Sequence, residues 1–349
     1  MGLVQLLLER TDSVAHFQLT STQEHDYLQA HLHSIDLAPD DVTYAGPPKW
    51  TEITCIGDCP PLDMIEPCRC QYPHDPSIVC SNITTMDTIN DLFNKTGVLR
   101  FKYFTLEHST LPYLPSHALV SKKFFGLIIV NSTLTGLFDE VPSSNNLIHM
   151  FVLENVRIQR AIQWSMFQKL TKLRIMQLIK IVIKRLGKDF ISNINPGLAE
   201  IFLSQTKTTS LSDNVFENMK ELHQLAIIRS EIRTLKRSMF PKPARIATLD
   251  FQSNRIETLP EDLFTDMPEL TFVTFKNNNI AYLKESVFAG VFTQLARINV
   301  DGNPIKCDCS LEWLTRFESW TVNGVCEEPQ NKKGSQIRNL TKKDFSYCQ

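Results

Sequence analysis

The stretch Ile246-Ala247-Thr248-Leu249-Asp250-Phe251-Gln252-Ser253-Asn254-Arg255-Ile256-Glu257-Thr258-Leu259-Pro260, with Phe264 and Met267 behind it, decides how the whole chain is read. Apolar residues hold its first, fourth, sixth, eleventh and fourteenth places, and an asparagine holds the ninth. Leu270, Val273, Phe275, Asn278, Ile280, Leu283 and Phe288 then fill the same slots, which sets a period of about 24 residues. Working backwards, Leu222, Leu225, Ile227, Ile232, Leu235 and Phe240 make a third copy, and Leu198, Ile201, Leu203, Leu211, Phe216 and Met219 a fourth. Weaker copies begin at Leu173, Ile148, Phe124 and Phe101, and a last, partial one begins at Leu295.

Alternation at the fourth and sixth places suits a short strand with one buried face, and the later apolar residues can turn back over the same core. One copy cannot bury that face alone. Stacked copies share a continuous core, and the two ends of the stack need covers.

The cysteines lie where covers are needed. Of nine, Cys55, Cys59, Cys68, Cys70 and Cys80 form one group and Cys307, Cys309, Cys326 and Cys348 another, with none between. Sequons at Asn82, Asn94, Asn131 and Asn339 fit export through an oxidising, glycosylating compartment. Met1 to Leu8 is apolar but lacks a basic flank and is cut short by Glu9 and Arg10, so secretion is inferred from the cysteines rather than from a leader. A formal charge of −2 gives no global case for nucleic acid, and no apolar run is long enough to span a bilayer.

The repeat resembles the extracellular, 24-residue type of leucine-rich repeat over about Phe101 to Asn303. The resemblance implies an α/β leucine-rich-repeat solenoid, or horseshoe. A curved parallel sheet would line its concave face, the convex side would be mostly irregular or in short helices, and disulfide caps would close both ends. The expected segments are 1–54, acidic, without repeats and either disordered or not native; 55–100 the N-terminal cap; 101–302 the repeats; and 303–349 the C-terminal cap. By the family pattern Cys59 pairs with Cys70, Cys68 with Cys80, Cys307 with Cys326 and Cys309 with Cys348. A zinc site at Cys307-Asp308-Cys309 is the rival reading, disfavoured because zinc sites use tighter ligand pairs. Cys55 is left as a free thiol, a link to another chain, or the partner of something outside this sequence. The family prefers Asn at the ninth slot. Here Asn254, Asn278 and Asn303 supply it, but Val156 and Ile181 do not, so looser turns are expected around the third and fourth repeats.

No hydrolase elbow, zinc-protease helix, phosphate loop or dinucleotide fingerprint is present, and no catalytic residue, cofactor or metal is expected. His108, His149 and His223 fall in different repeats and read as satisfied surface residues. His16, His25, His31 and His33, in an acidic segment, read as solvated. A binder has positive support. The outward slots of the strands hold Ile128, Val130, Met150, Val152, Ile175, Ile179, Phe202, Ala226 and Ile228, which should be solvated yet are apolar. They read as a protein interface on the concave face, with misregister as the rival explanation. Nine basic residues and no acid lie between Arg157 and Lys188. Of these, Arg157, Arg160, Lys184 and Arg185 are expected to stack on one flank, either as a solvated face or as a site for sulfated glycans.

The cap layout also resembles secreted arthropod leucine-rich-repeat proteins similar to the non-catalytic subunit of decapod shrimp (Oplophorus) luciferase. That resemblance implies an accessory, protein-binding role. The alternative is the ectodomain of a leucine-rich-repeat cell-surface receptor.

Overall fold

The computed structural model describes residues 59–71, 76–317 and 321–348; residues 1–54 and Cys55, with the expectations placed on them, lie outside these ranges. In each repeat a strand begins two residues after the first apolar slot: Tyr103–Glu107, Gly126–Val130, Met150–Glu154, Ile175–Ile179, Glu200–Ser204, Gln224–Ile228, Thr248–Asp250, Phe272–Thr274 and Arg297–Asn299. These strands pair in parallel, and the register runs without a slip through the irregular middle repeats: Ile128 opposes Val152, Val152 opposes Gln177, and Gln177 opposes Phe202. With Arg69–Gln71, Ser77–Ser81 and Val322–Asn323 from the caps they make a 12-stranded sheet.

The alternation read from the sequence sorts the side chains. Phe104 and Leu106, Leu127 and Ile129, Phe151 and Leu153, and Met176 and Leu178 all join one connected core behind the sheet. Phenylalanines from the return path fill that core from repeat to repeat, with Phe190 and Phe216 centred 6.4 Å apart and Phe216 and Phe240 6.2 Å apart. Each such side chain contributes roughly 1.5–3 kcal/mol by leaving water, but only when a neighbouring repeat supplies the other wall.

Two columns of backbone chemistry bind the turns. The residue after each of the six strands from Tyr103–Glu107 to Gln224–Ile228 is left-handed: His108, Asn131, Asn155, Lys180, Gln205 and Arg229 all have φ between 47° and 55°. Each donates its N–H to a carbonyl of the next repeat, as His108 does to Val130 at 3.1 Å and Lys180 to Ser204 at 2.8 Å. One residue further on, Asn254, Asn278 and Asn303 form a ladder. The Asn254 Nδ2 donates to the Ile227 and Phe251 carbonyls, and its Oδ1 accepts from the Ile232 N–H at 3.1 Å. Ser109 and Ser132 do the same with hydroxyls, the Ser109 N–H donating to Ser132 Oγ at 3.1 Å. Val156 and Ile181 turn into the core instead. Beside them the small sheet behind the turns is interrupted: Thr110–Leu111, Thr133–Leu134 and Arg157–Ile158 form one ladder, and Arg185–Leu186 with Ser210–Leu211 a separate one.

Both ends are sealed. At the N-terminal end Cys59 is bridged to Cys70 and Cys68 to Cys80. There Ser77–Ser81 pairs in parallel with Tyr103–Glu107, so the cap already carries a repeat-like strand. The helix Met86–Lys95 buries Ile89, Leu92 and Phe93 over the stack. At the other end Cys307 is bridged to Cys326 and Cys309 to Cys348. Between them Leu311, Trp313 and Leu314 are buried, and Trp313 Nε1 donates to the Leu283 carbonyl at 2.8 Å. These are the cysteine pairs that the cap resemblance implies.

Candidate binding face

The residues between the core positions point to the opposite side of the sheet. Val130, Met150, Val152, Ile179, Ala226 and Ile228 are outside the connected core, as their alternation requires. The expectation that they are solvated is corrected, because all six are buried, and Ile128, Ile175 and Phe202 are half-buried. Parallel strands sit about 4.8 Å apart, so large side chains in one register row shield each other's flanks. The row Ile128, Val152, Gln177, Phe202, Ala226 is continuous across five strands.

Polar groups interrupt this floor in a pattern that the apolar count overlooked. Glu107, Glu154, Glu200 and Asp250 share the open side of the sheet. Asp250 accepts from the Gln252 N–H at 2.9 Å and from its Nε2 at 3.2 Å, while burial pushes the carboxyl up to about 6. Glu200 lies 3.5 Å from His223 Nε2, and this contact raises the imidazole above its ordinary range. His149 stacks on Phe125 with centroids 4.7 Å apart, and burial lowers its pKa. His108 is exposed and meets Asn131 at 3.4 Å. The three histidines have separate local partners, so no pair of them is placed for general acid–base work.

Arg157, Arg160, Lys184 and Arg185 are all exposed. Arg157 opposes Thr133 in one small ladder, whereas Arg185 opposes Ser210 in the other and reaches Ser212 Oγ at 3.1 Å. The sequon residues Asn82, Asn94, Asn131 and Asn339 are exposed as well.

A family model, described as the BspA type leucine rich repeat region, matches the chain in six copies over residues 145–254 and 195–308. The chain folds as a leucine-rich-repeat solenoid. No curated protein matches it in sequence. Among solved structures, the crystal structure of the TLR13–ssRNA13 complex holds a chain similar to this solenoid, with a TM-score of 0.60 and 19% identity. That match covers 72% of this chain and 35% of the other, so the solenoid spans about a third of its neighbour's length. A chain of the octameric complex of Latrophilin 3, Unc5D and FLRT2, in which FLRT2 is the leucine-rich-repeat component, matches at a TM-score of 0.45 and 18% identity. That match covers 69% of this chain and 89% of its counterpart. At such identities the likeness concerns the fold.

Proposed function

We propose that the solenoid is a secreted, non-enzymatic scaffold that binds another protein on its concave face, as an accessory subunit or extracellular recognition protein. The observation that carries this reading is the row Ile128, Val152, Phe202 and Ala226, apolar side chains on the sheet's open side that lie outside the connected core. A wide rigid sheet presenting such a row suits a protein partner better than a small molecule. Four disulfides among the described residues and four exposed sequons support an oxidising, extracellular setting. The accessory role draws on the cap layout that resembles the shrimp luciferase subunit type. The test is retention of a partner from native extracellular fluid by the immobilised protein and by an Ile128→Asp, Phe202→Asp variant. Loss of the partner with an unchanged melting temperature supports the reading, and undiminished retention refutes it.

A second site is proposed at the exposed cations Arg157, Arg160, Lys184 and Arg185, with sulfated glycans as the ligand class. Such binding weakens with salt, because exposed charges are screened over roughly 8–10 Å at physiological ionic strength. A variant with all four replaced by Ser is expected to leave a heparin column at lower salt than the parent. Co-elution of the two reduces the four residues to a solvated flank.

A further inference from the structure

Glu154 ends the strand Met150–Glu154 on the same side as Met150 and Val152, while Phe151 and Leu153 face the core. Its register partners are Val130 on one side and Ile179 on the other, both buried. The residue is only 6% exposed, and among the described residues its Oε2 is the fully buried side-chain oxygen that accepts no hydrogen bond. A carboxylate oxygen held between two aliphatic side chains has lost its water and gained nothing in return. Folding alone gives no reason for an acid there, since a leucine or valine in the same row would bury more favourably.

The rest of the open face points to what satisfies it. Across the strands from Tyr103 to Asp250 the outward positions carry Glu107, Glu154, Glu200 and Asp250 but no lysine or arginine. Glu107 is already met by Arg69 and Ser81, Glu200 by His223, and Asp250 by Gln252. Glu154 is the acid left with an unmet oxygen, and it stands inside the apolar floor. We propose that the partner of the concave face is a polypeptide that inserts a lysine or arginine side chain against Glu154, between Val130 and Ile179, and lays apolar residues on Val152 and Phe202. The insertion supplies the missing donor and pairs a desolvated charge, so it gives the face selectivity that an all-apolar patch lacks. This inference rests on the concave-face reading and refines it.

The test uses the full chain and four peptides of the form fluorescein-Val-Leu-X-Leu-Val-amide, with X as arginine, lysine, citrulline or norleucine. Binding is followed by fluorescence anisotropy. The arginine and lysine peptides are expected to bind at least tenfold more tightly than the citrulline and norleucine peptides. Glu154→Gln is expected to erase that preference. Equal binding of all four peptides, no binding of any at millimolar concentration, or a preference that survives Glu154→Gln overturns the proposal. The discrimination shown by the parent protein is read without any variant, so a poorly folding Glu154→Gln does not rescue the idea. A native partner that is lost with Ile128→Asp and Phe202→Asp but indifferent to Glu154→Gln overturns the cationic insertion and leaves the concave-face reading standing.

Discussion

The Asn278 side chain clamps its own repeat to the one before it, Nδ2 donating to the Phe251 carbonyl at 2.9 Å while Oδ1 accepts the Ile256 N–H at 3.0 Å. Both backbone groups belong to the preceding turn, in residues that are buried. Asn278→Ala leaves them unpaired and is expected to cost about 2–3 kcal/mol in urea unfolding. Ser132, whose hydroxyl accepts the Ser109 N–H, binds fewer groups, and Ser132→Ala is expected to cost about 1 kcal/mol. Equal losses at the two positions would refute the ladder as the source of the difference.

Lys122 gives the fold a pH signature. It is buried, its Nζ donates to the Gly97 carbonyl at 2.5 Å just beyond the helix Met86–Lys95, and burial lowers the ammonium from 10.5 to about 8. Between those values the unfolded chain binds more protons at this site than the folded one. Stability attributable to Lys122 therefore rises as pH increases from about 8 to 10.5 and is flat below. Lys122→Met is expected to remove that rise when the two proteins are compared by denaturant melts at pH 7, 9 and 10.5. Parallel pH curves would show that the amine titrates normally in the fold.

Much of this could be read from the chain. The period places every repeat strand, because the inward alternation at Leu249 and Phe251 recurs wherever a neighbouring turn must share the same core. The left-handed column was not legible. His108, Lys180 and Arg229 are not turn formers by type, and what holds them at positive φ is a hydrogen bond to the next repeat, which one repeat's sequence does not contain. The burial of Val130, Met150 and Val152 was missed for a similar reason: outward direction follows from alternation, but exposure depends on how large the lateral neighbours are. Glu154 is not legible as part of a site because apolar outward residues mark the face in the sequence, and an acid standing among them looks like an ordinary solvated side chain.

The C-terminal cap depends on the bridge between Cys309 and Cys348, which closes 39 residues of chain over the last repeat. Cys309→Ser is expected to cost about 2–4 kcal/mol and to uncover the apolar surface around Trp313. The expected result is a sharp drop in secreted yield from an expressing cell, with the retained protein binding a hydrophobic dye. Normal secretion would show that packing of Leu311, Trp313 and Leu314 suffices without the bridge.

The central claim is that the open face of the sheet, and no other surface, holds the partner. The direct measurement is quantitative retention of proteins from native extracellular fluid on three immobilised forms: the parent, Ile128→Asp with Phe202→Asp, and Val182→Glu at an exposed position outside the row. The account predicts that the parent and Val182→Glu retain the same partner in equal amount and that the double variant loses it at least tenfold, with all three melting at the same temperature. Retention by the double variant equal to the parent, or loss by Val182→Glu alone, would contradict it.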